Sequence, residues 1–94
     1  MRKNEDYEWE LVNVLSRVAP NKELLRKFMR DLLSPYEFMD LANRWQIVKQ
    51  LHEKIPHRRI ARNLKTSIVT INRGSRMYQN KSGGFNQVLN KYGK

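Results

Sequence analysis

The sequence predicts an all-helical fold of about six helices that includes a helix-turn-helix. Apolar residues recur along most of the 94 residues at the i, i+3, i+4, i+7 spacing of amphipathic helices. No segment is a strong strand candidate, and the stretch from Pro56 to Gly74 reads as two short helices joined by a tight turn. The length fits one domain, 1–94, whose small core predicts further stabilisation by an oligomer.

Residues 1–33 predict two amphipathic helices that serve dimerisation. Residues 1–6 are polar and are expected to be frayed, and the first helix should run from about Tyr7 to Ala19. Asn21 can cap the second helix. Trp9 lies off the main apolar stripe, which favours a second apolar contact supplied by a partner subunit, although single exposed apolar residues are also common.

Residues 34–55 predict the longest and most central helix. Ser34 can cap it, Pro35 suits its first turn, and Glu37 can complete a capping box. Its apolar stripe consists of Phe38, Leu41, Trp45, Val48 and Leu51.

Residues 56–78 predict the helix-turn-helix. Ile60, Ala61 and Leu64 form the inward face of the first helix, and Ser67 can cap the second. Ile68 and Ile71 should anchor the second helix to the core. The turn position after Leu64 favours positive φ and therefore glycine, but here it is Lys65, which tolerates that conformation at a modest cost. The second helix should continue past Gly74, and a last short helix should cover 84–92.

The outward side of this motif carries cations and short polar side chains. A helix of this kind can enter the major groove of DNA, where Asn pairs with adenine and apolar side chains meet thymine methyl groups. The predicted DNA-binding residues are His57, Arg58, Ser67, Ile68, Val69, Thr70 and Asn72.

The charge of the chain is strongly segregated. The net charge is +10, but residues 1–40 carry seven Lys or Arg against eight Asp or Glu. Residues 41–94 carry twelve Lys or Arg and only Glu53, a net charge of +11. An excess confined to the half with the helix-turn-helix predicts a polyanionic partner, whereas a basic surface kept for solubility needs no segregation.

Other function classes find little support. The chain has no cysteine, and no apolar run of membrane-spanning length or signal-peptide character, which predicts a cytoplasmic protein without a membrane partner. No catalytic or metal-binding constellation appears, so an enzyme is not expected. His52 and His57 are each interpreted as lone solvent-facing histidines, although His57 could touch phosphate or a base.

The segments SPYEFMDLANRWQIVKQL at 34–51 and IVTINRGS at 68–75 resemble the tryptophan repressor family of bacteria. The resemblance covers roughly residues 32–89. It implies an all-helical, intertwined homodimer that binds operator DNA, in the founding members only with L-tryptophan bound. The family also includes regulators whose ligand is not established. The Trp repressor is itself one of the proteins from which helix-turn-helix docking in the major groove is known.

The resemblance also implies a corepressor site. Arg44 and Arg73 match the two arginines that flank the tryptophan and its carboxylate, Gly74 matches the glycine beside the indole, and Ser34 matches a hydroxyl residue of the pocket. Met77 stands where the tryptophan-binding members have a serine. A further departure is Asp31, which replaces an apolar residue.

Residue chemistry leaves alternatives open at two of these positions. Gly74 inside a helix could admit a flat ligand, permit close packing of two helices, or mark a helix end. Arg44 could instead form an ion pair with Asp40.

The sequence therefore predicts a dimeric, sequence-specific transcriptional repressor that acts on a pseudo-palindromic operator, with L-tryptophan as the candidate corepressor. Three alternatives stay open at this point. They are a ligand-independent regulator of the same fold, a nonspecific nucleoid or RNA-binding protein, and a protein-interaction module that uses Trp9 and Trp45.

Overall fold

Six α-helices follow one another in the computed structural model, which describes residues 3–92, and this range contains no strand. The prediction of an all-helical fold is confirmed. The helices are α1 (Lys3–Val18), α2 (Lys22–Leu32), α3 (Pro35–His52), α4 (His57–Leu64), α5 (Ile68–Gln79) and α6 (Gly84–Tyr92). They divide into two compact units, the first ending at Phe38 and the second beginning at Met39.

The first unit is a pair of packed helices, α1 and α2, together with the start of α3. The expectation of a frayed segment up to residue 6 is wrong from Lys3 onward, because α1 already begins there. Glu5 and Asp6 lie in its first turn, where negative charge is favoured by the helix dipole. Residues 1 and 2 lie outside the described part of the chain.

No residue of α1 or α2 is buried. Leu15, Val18 and Phe28 are only half-buried, although they belong to the apolar faces of these helices. Trp9 is 67% exposed and Tyr7 is 63% exposed. The first unit therefore leaves much apolar surface open, which matters for the quaternary structure proposed below.

The predicted starts of α2 and α3 are confirmed. The N–H of Leu24 donates to Asn21 Oδ1 at 3.1 Å. At α3 the N–H of Glu37 donates to Ser34 Oγ at 3.2 Å, and the N–H of Ser34 donates to Glu37 Oε1 at 2.8 Å. This is a complete capping box. The backbone and side-chain hydrogen bonds from Ser34 lower the pKa of the Glu37 carboxyl from its ordinary value.

The core of the second unit joins α3, α4 and α5. It consists of Ile47, Leu51, Ile60 and Ile71, with Ile55, Ala61, Leu64 and Tyr78 packed around it. Ile47 was absent from the predicted stripe of α3, but it is only 2% exposed because it packs against α5.

Ile71 is fully buried as predicted, whereas the prediction that Ile68 also anchors α5 is wrong. Ile68 is 42% exposed. Residues further along α5, Ile71 and Gly74, are the buried ones, and the start of the helix projects beyond the core.

The turn between α4 and α5 contains the left-handed residue that the sequence predicts. Lys65 has φ 52° and ψ 48°, and the N–H of Thr66 donates to the carbonyl of Ala61 at 2.9 Å. This arrangement closes the C-terminus of α4 and turns the chain into α5. A second left-handed residue, Lys54 with φ 62°, follows α3 and was not predicted.

The end of α5 is closed by a side chain from α6. Asn86, only 4% exposed, donates from Nδ2 to the carbonyls of Tyr78 at 2.6 Å and Asn80 at 2.9 Å. These carbonyls lie at the C-terminus of α5, where helical partners run out. Together with the buried Leu89, Asn86 explains how so short a final helix docks.

Candidate nucleic-acid interface and adjoining cleft

The outer side of α4 and α5 carries all seven predicted DNA-binding residues. Six of them are exposed, and His57 is half-buried; the exposed ones are Arg58, Ser67, Ile68, Val69, Thr70 and Asn72. Val69 is 62% exposed, although valine is an apolar residue. The residues that hold this surface in place, Ile60 and Ile71, are completely buried beneath it.

Ser67 and Thr70 form a local network at the start of α5. The N–H of Thr70 donates to Ser67 Oγ at 3.1 Å, which confirms the predicted cap, and the two hydroxyl oxygens lie 2.9 Å apart. The cap fixes the first turn of α5, on which Ile68, Val69 and Thr70 stand.

A hydrogen bond connects the two helices across this surface. His57 Nδ1 lies 3.3 Å from Asn72 Oδ1, so the first residue of α4 is tied to the middle of α5. The interpretation of His57 as a lone solvent-facing histidine is therefore wrong. This contact could not be predicted from the sequence, because the two residues are fifteen positions apart and only the packing of α4 on α5 brings them together.

His52 is likewise not a lone histidine. Its Nδ1 lies 3.0 Å from the Tyr78 hydroxyl, and the two rings meet edge to face with centroids 5.9 Å apart. The amino group of Lys81 lies 4.8 Å from the centre of the Tyr78 ring. This cluster ties the end of α3 to the end of α5 on the second unit.

A cleft of about 840 Å³ lies beside the interface within the second unit. It brings together four of the five residues that the resemblance assigns to a corepressor, Arg44 from α3 and Arg73, Gly74 and Met77 from α5. The remaining lining residues are Asp40, Asn43, Ile47, Leu64, Thr66, Thr70, Arg76 and Phe85. Ser34 belongs to the first unit, where its hydroxyl accepts the capping hydrogen bond, and its role in a corepressor site stays a prediction.

The charged side chains that line the cleft are mainly basic. Arg44, Arg73 and Arg76 contribute three guanidinium groups, and Asp40 contributes the one carboxylate. Arg76 was not predicted as a cleft residue, although its position one helical turn after Arg73 is a signal that could have found it. An electropositive cleft of this kind favours an anionic ligand.

Gly74 is required by helix packing. A Cβ atom built on this residue would lie 2.7 Å from Cγ2 of Ile47, closer than packed carbon atoms approach. Of the three explanations left open by the sequence, a helix end is excluded because α5 continues to Gln79. Close packing of α5 on α3 accounts for the glycine without a ligand, and the same residue still borders the cleft.

Comparison with known proteins identifies the family of this chain. Residues 7–92 match the family model described as "Trp repressor protein". The chain belongs to the Trp repressor protein family. Relatives of this chain named "Trp operon repressor homolog" occur in Mannheimia succiniciproducens, with 37% identity, and in Haemophilus influenzae, with 33% identity; each comparison covers 90% of this chain and 85% of the relative. A relative of the same name from Actinobacillus succinogenes is 40% identical over 73% of this chain and 69% of its own length.

No solved structure matches the chain. Membership of the Trp repressor family makes the protein a transcriptional regulator of a DNA-binding, non-enzymatic family. Within residues 3–92, no helix has the length and apolar character needed to cross a membrane.

Proposed function

We propose that the protein is a dimeric, sequence-specific repressor that inserts the start of α5 into the major groove of operator DNA. The observation that carries this proposal is the exposed row of Val69, Thr70 and Asn72, held on a helix whose opposite side is buried. Side chains of this size and polarity can reach base edges, with Val69 meeting thymine methyl groups and Asn72 pairing with adenine. Ile68, 42% exposed, extends the apolar part of the same row.

The surrounding cations supply contacts to phosphate. Arg59, Arg62 and Lys65 are all exposed on α4 or the turn that follows it. Phosphate contacts position a protein on DNA without selecting a sequence. Base selection is therefore assigned to α5 and the adjoining start of α4, and general affinity to these cations.

Substitutions of Asn72 and Arg59 distinguish base selection from general affinity for DNA. Asn72→Ala should change the preferred base at one position of the binding site and cost roughly 1–3 kcal/mol of discrimination there. Arg59→Ala is the matched control, and it should weaken binding to all sequences about equally. Fluorescence anisotropy with a set of single-base operator variants measures both effects. An Asn72→Ala protein with unchanged affinity and preference would show that Asn72 does not read bases.

The proposed dimer rests on the first unit. Its helices α1 and α2 bury no residue, and the exposed apolar side chains include Tyr7, Trp9, Leu24 and Leu32. Large exposed apolar side chains on two helices that pack together favour an interaction site. A second copy of the chain is the partner that the family implies, and two copies would present two reading helices to a pseudo-palindromic operator.

The proposed corepressor is a planar molecule with a carboxylate, held in the cleft between Arg44 and Arg73. The two arginines come from different helices, and either can bind a carboxylate through paired hydrogen bonds. A ligand that bridges α3 and α5 would fix the tilt of α5 and thereby its fit to the groove. It acts as a switch if it binds the DNA-competent form better than the free form.

L-Tryptophan is the first candidate by family membership, and Met77 is the residue that decides whether it fits. Met77 borders the cleft but is 59% exposed, and its flexible side chain can move aside more readily than a branched one. Isothermal titration of L-tryptophan into the wild-type protein should therefore give saturable binding.

Two variants, Met77→Ser and Arg44→Ala, distinguish the possible results of that titration. Binding only by Met77→Ser would show a pocket that Met77 closes. Absence of binding in both proteins, with DNA affinity unaffected by Arg44→Ala, would reject the corepressor site and leave a ligand-independent repressor.

A further inference from the structure

The contact between His57 and Asn72 has a consequence for how the base is read. Asn72 is the residue of α5 best suited to recognise adenine, and that recognition needs its amide in one of two orientations. The carbonyl oxygen must face the adenine N6 amino group while the amide nitrogen faces N7. An amide turned by half a revolution presents donor and acceptor the wrong way round.

We infer that His57 is a positioning residue that fixes the orientation of the Asn72 amide and so sets the base preference of α5. This inference rests on the proposed DNA-binding function. His57 Nδ1 lies 3.3 Å from Asn72 Oδ1, and a carbonyl oxygen only accepts, so this hydrogen bond requires the His57 tautomer that carries its proton on Nδ1 and donates.

The hydrogen bond from His57 leaves the amide atoms of Asn72 free to contact adenine. A carbonyl oxygen has two lone pairs, so Oδ1 can accept from His57 and from adenine N6 together. The amide nitrogen keeps both hydrogens available and can donate one to N7. His57 therefore supports adenine recognition rather than competing with it.

The backbone of both His57 and Asn72 is held in place by neighbouring buried residues. Ile60 lies one turn after His57 in α4, Ile71 directly precedes Asn72 in α5, and both isoleucines have no exposed surface. His57 is half-buried, whereas Asn72 is exposed. The ordered histidine thus restrains a side chain that would otherwise rotate freely at the protein surface.

Restraint of this kind lowers the entropy lost when DNA binds. Ordering one side chain before binding changes the affinity for the matching base by roughly three- to tenfold. The effect should appear only at the base pair read by Asn72, because His57 acts through that side chain and not through phosphate.

The test is a double-mutant cycle measured on DNA. The base pair read by Asn72 is first identified as the one whose preference disappears in Asn72→Ala. His57→Ala should then reduce the adenine preference at this position by roughly three- to tenfold and leave the other positions unchanged. In the Asn72→Ala background, His57→Ala should cause no further change. His57→Gln keeps an amide donor and should restore part of the preference.

A second measurement does not depend on DNA. The side-chain amide resonances of Asn72 in ¹⁵N-labelled free protein should shift in His57→Ala and not in Arg58→Ala, the matched control at the next residue. Thermal denaturation of each variant confirms that the fold is retained.

The outcomes separate the inference from the proposed function. Equal weakening of all sequences by His57→Ala, or effects that add to those of Asn72→Ala, would make His57 a direct DNA contact and overturn the inference alone. A wild-type protein without sequence preference would overturn the proposed function and this inference together.

Discussion

At the scale of the residue, Gly74 shows most clearly how one position serves packing and a site together. The absence of a side chain lets α5 approach α3 until Cγ2 of Ile47 lies only 2.7 Å from the position that a Cβ atom would take. The same residue borders a cleft with three arginines. Its role in packing is independent of any ligand, so it can be tested on the free protein.

Gly74→Ala should destabilise the protein. Alanine gains about 1 kcal/mol over glycine in a helix, but the new methyl group would overlap Ile47, and overpacking of a core costs about 1–3 kcal/mol. Cγ2 of Ile47 is attached directly to Cβ, and the residue is 2% exposed, so it has little room to move. Thermal denaturation should show a melting temperature a few degrees below that of the wild type.

Ile47→Leu provides the control for this steric explanation. Leucine keeps the volume but lacks a branch at Cβ, so the double variant Ile47→Leu, Gly74→Ala should recover part of the stability lost in Gly74→Ala. A single Gly74→Ala protein that melts above the wild type would contradict the close contact.

At the scale of the element, turns and caps determine where each helix ends. Lys65 ends α4 in a conformation that lowers the stability of the fold. It adopts φ 52° at the end of α4, a conformation in which a residue with a side chain is less stable than glycine. A lysine at this position fits the proposed phosphate contact, because its ammonium group can bind a phosphate oxygen.

Lys65→Gly should therefore separate stability from DNA binding. We expect the free energy of unfolding to rise by about 1 kcal/mol, because glycine adopts this conformation without strain. Affinity for DNA should fall to a similar extent for all sequences, since only a cation is lost. Lys65→Ala is the control, with the same loss of charge and no relief of strain. A Lys65→Gly protein no more stable than Lys65→Ala would contradict the strained turn.

The capping box of α3 should give a measurable pH dependence. The hydrogen bonds from Ser34 lower the pKa of Glu37 in the folded protein. Stability from this source is therefore present above the pKa of the unfolded chain and is lost as the pH falls through the lower pKa of the folded protein. Glutamine can complete the same capping box without titrating.

Melting temperatures of wild type and Glu37→Gln between pH 7 and pH 3 provide the measurement. As the pH falls, the melting temperature of the wild type should fall relative to that of Glu37→Gln. Parallel curves over the whole range would show that the Glu37 carboxylate adds nothing to the cap.

At the scale of the whole molecule, the helical fold could be predicted from local signals, and the site only in part. Spacing of apolar residues and the caps at Asn21, Ser34 and Ser67 predicted the helices, because these signals lie within a few residues of one another. The His57–Asn72 bond, the burial of Asn86 and the contact of Ile47 with Gly74 depend on helices packed in space. No local pattern encodes them.

The apolar surface of the first unit should be covered by a second copy of the chain. Sedimentation at micromolar concentration should give a dimer. In Trp45→Phe, Trp9 is the only tryptophan, and its emission should be that of a buried indole although it is 67% exposed in one chain. A folded monomer with the emission of an exposed indole would contradict the dimer.

The central claim is that α5 reads a defined sequence, and selection of bound DNA from a random library, with and without L-tryptophan, tests it most directly. We predict enrichment of a pseudo-palindromic site that binds at least roughly 10³-fold more tightly than random DNA, with L-tryptophan strengthening the enrichment. Recovery of unrelated sequences bound with nearly equal affinity in both conditions would contradict the claim and identify a nonspecific nucleic-acid-binding protein.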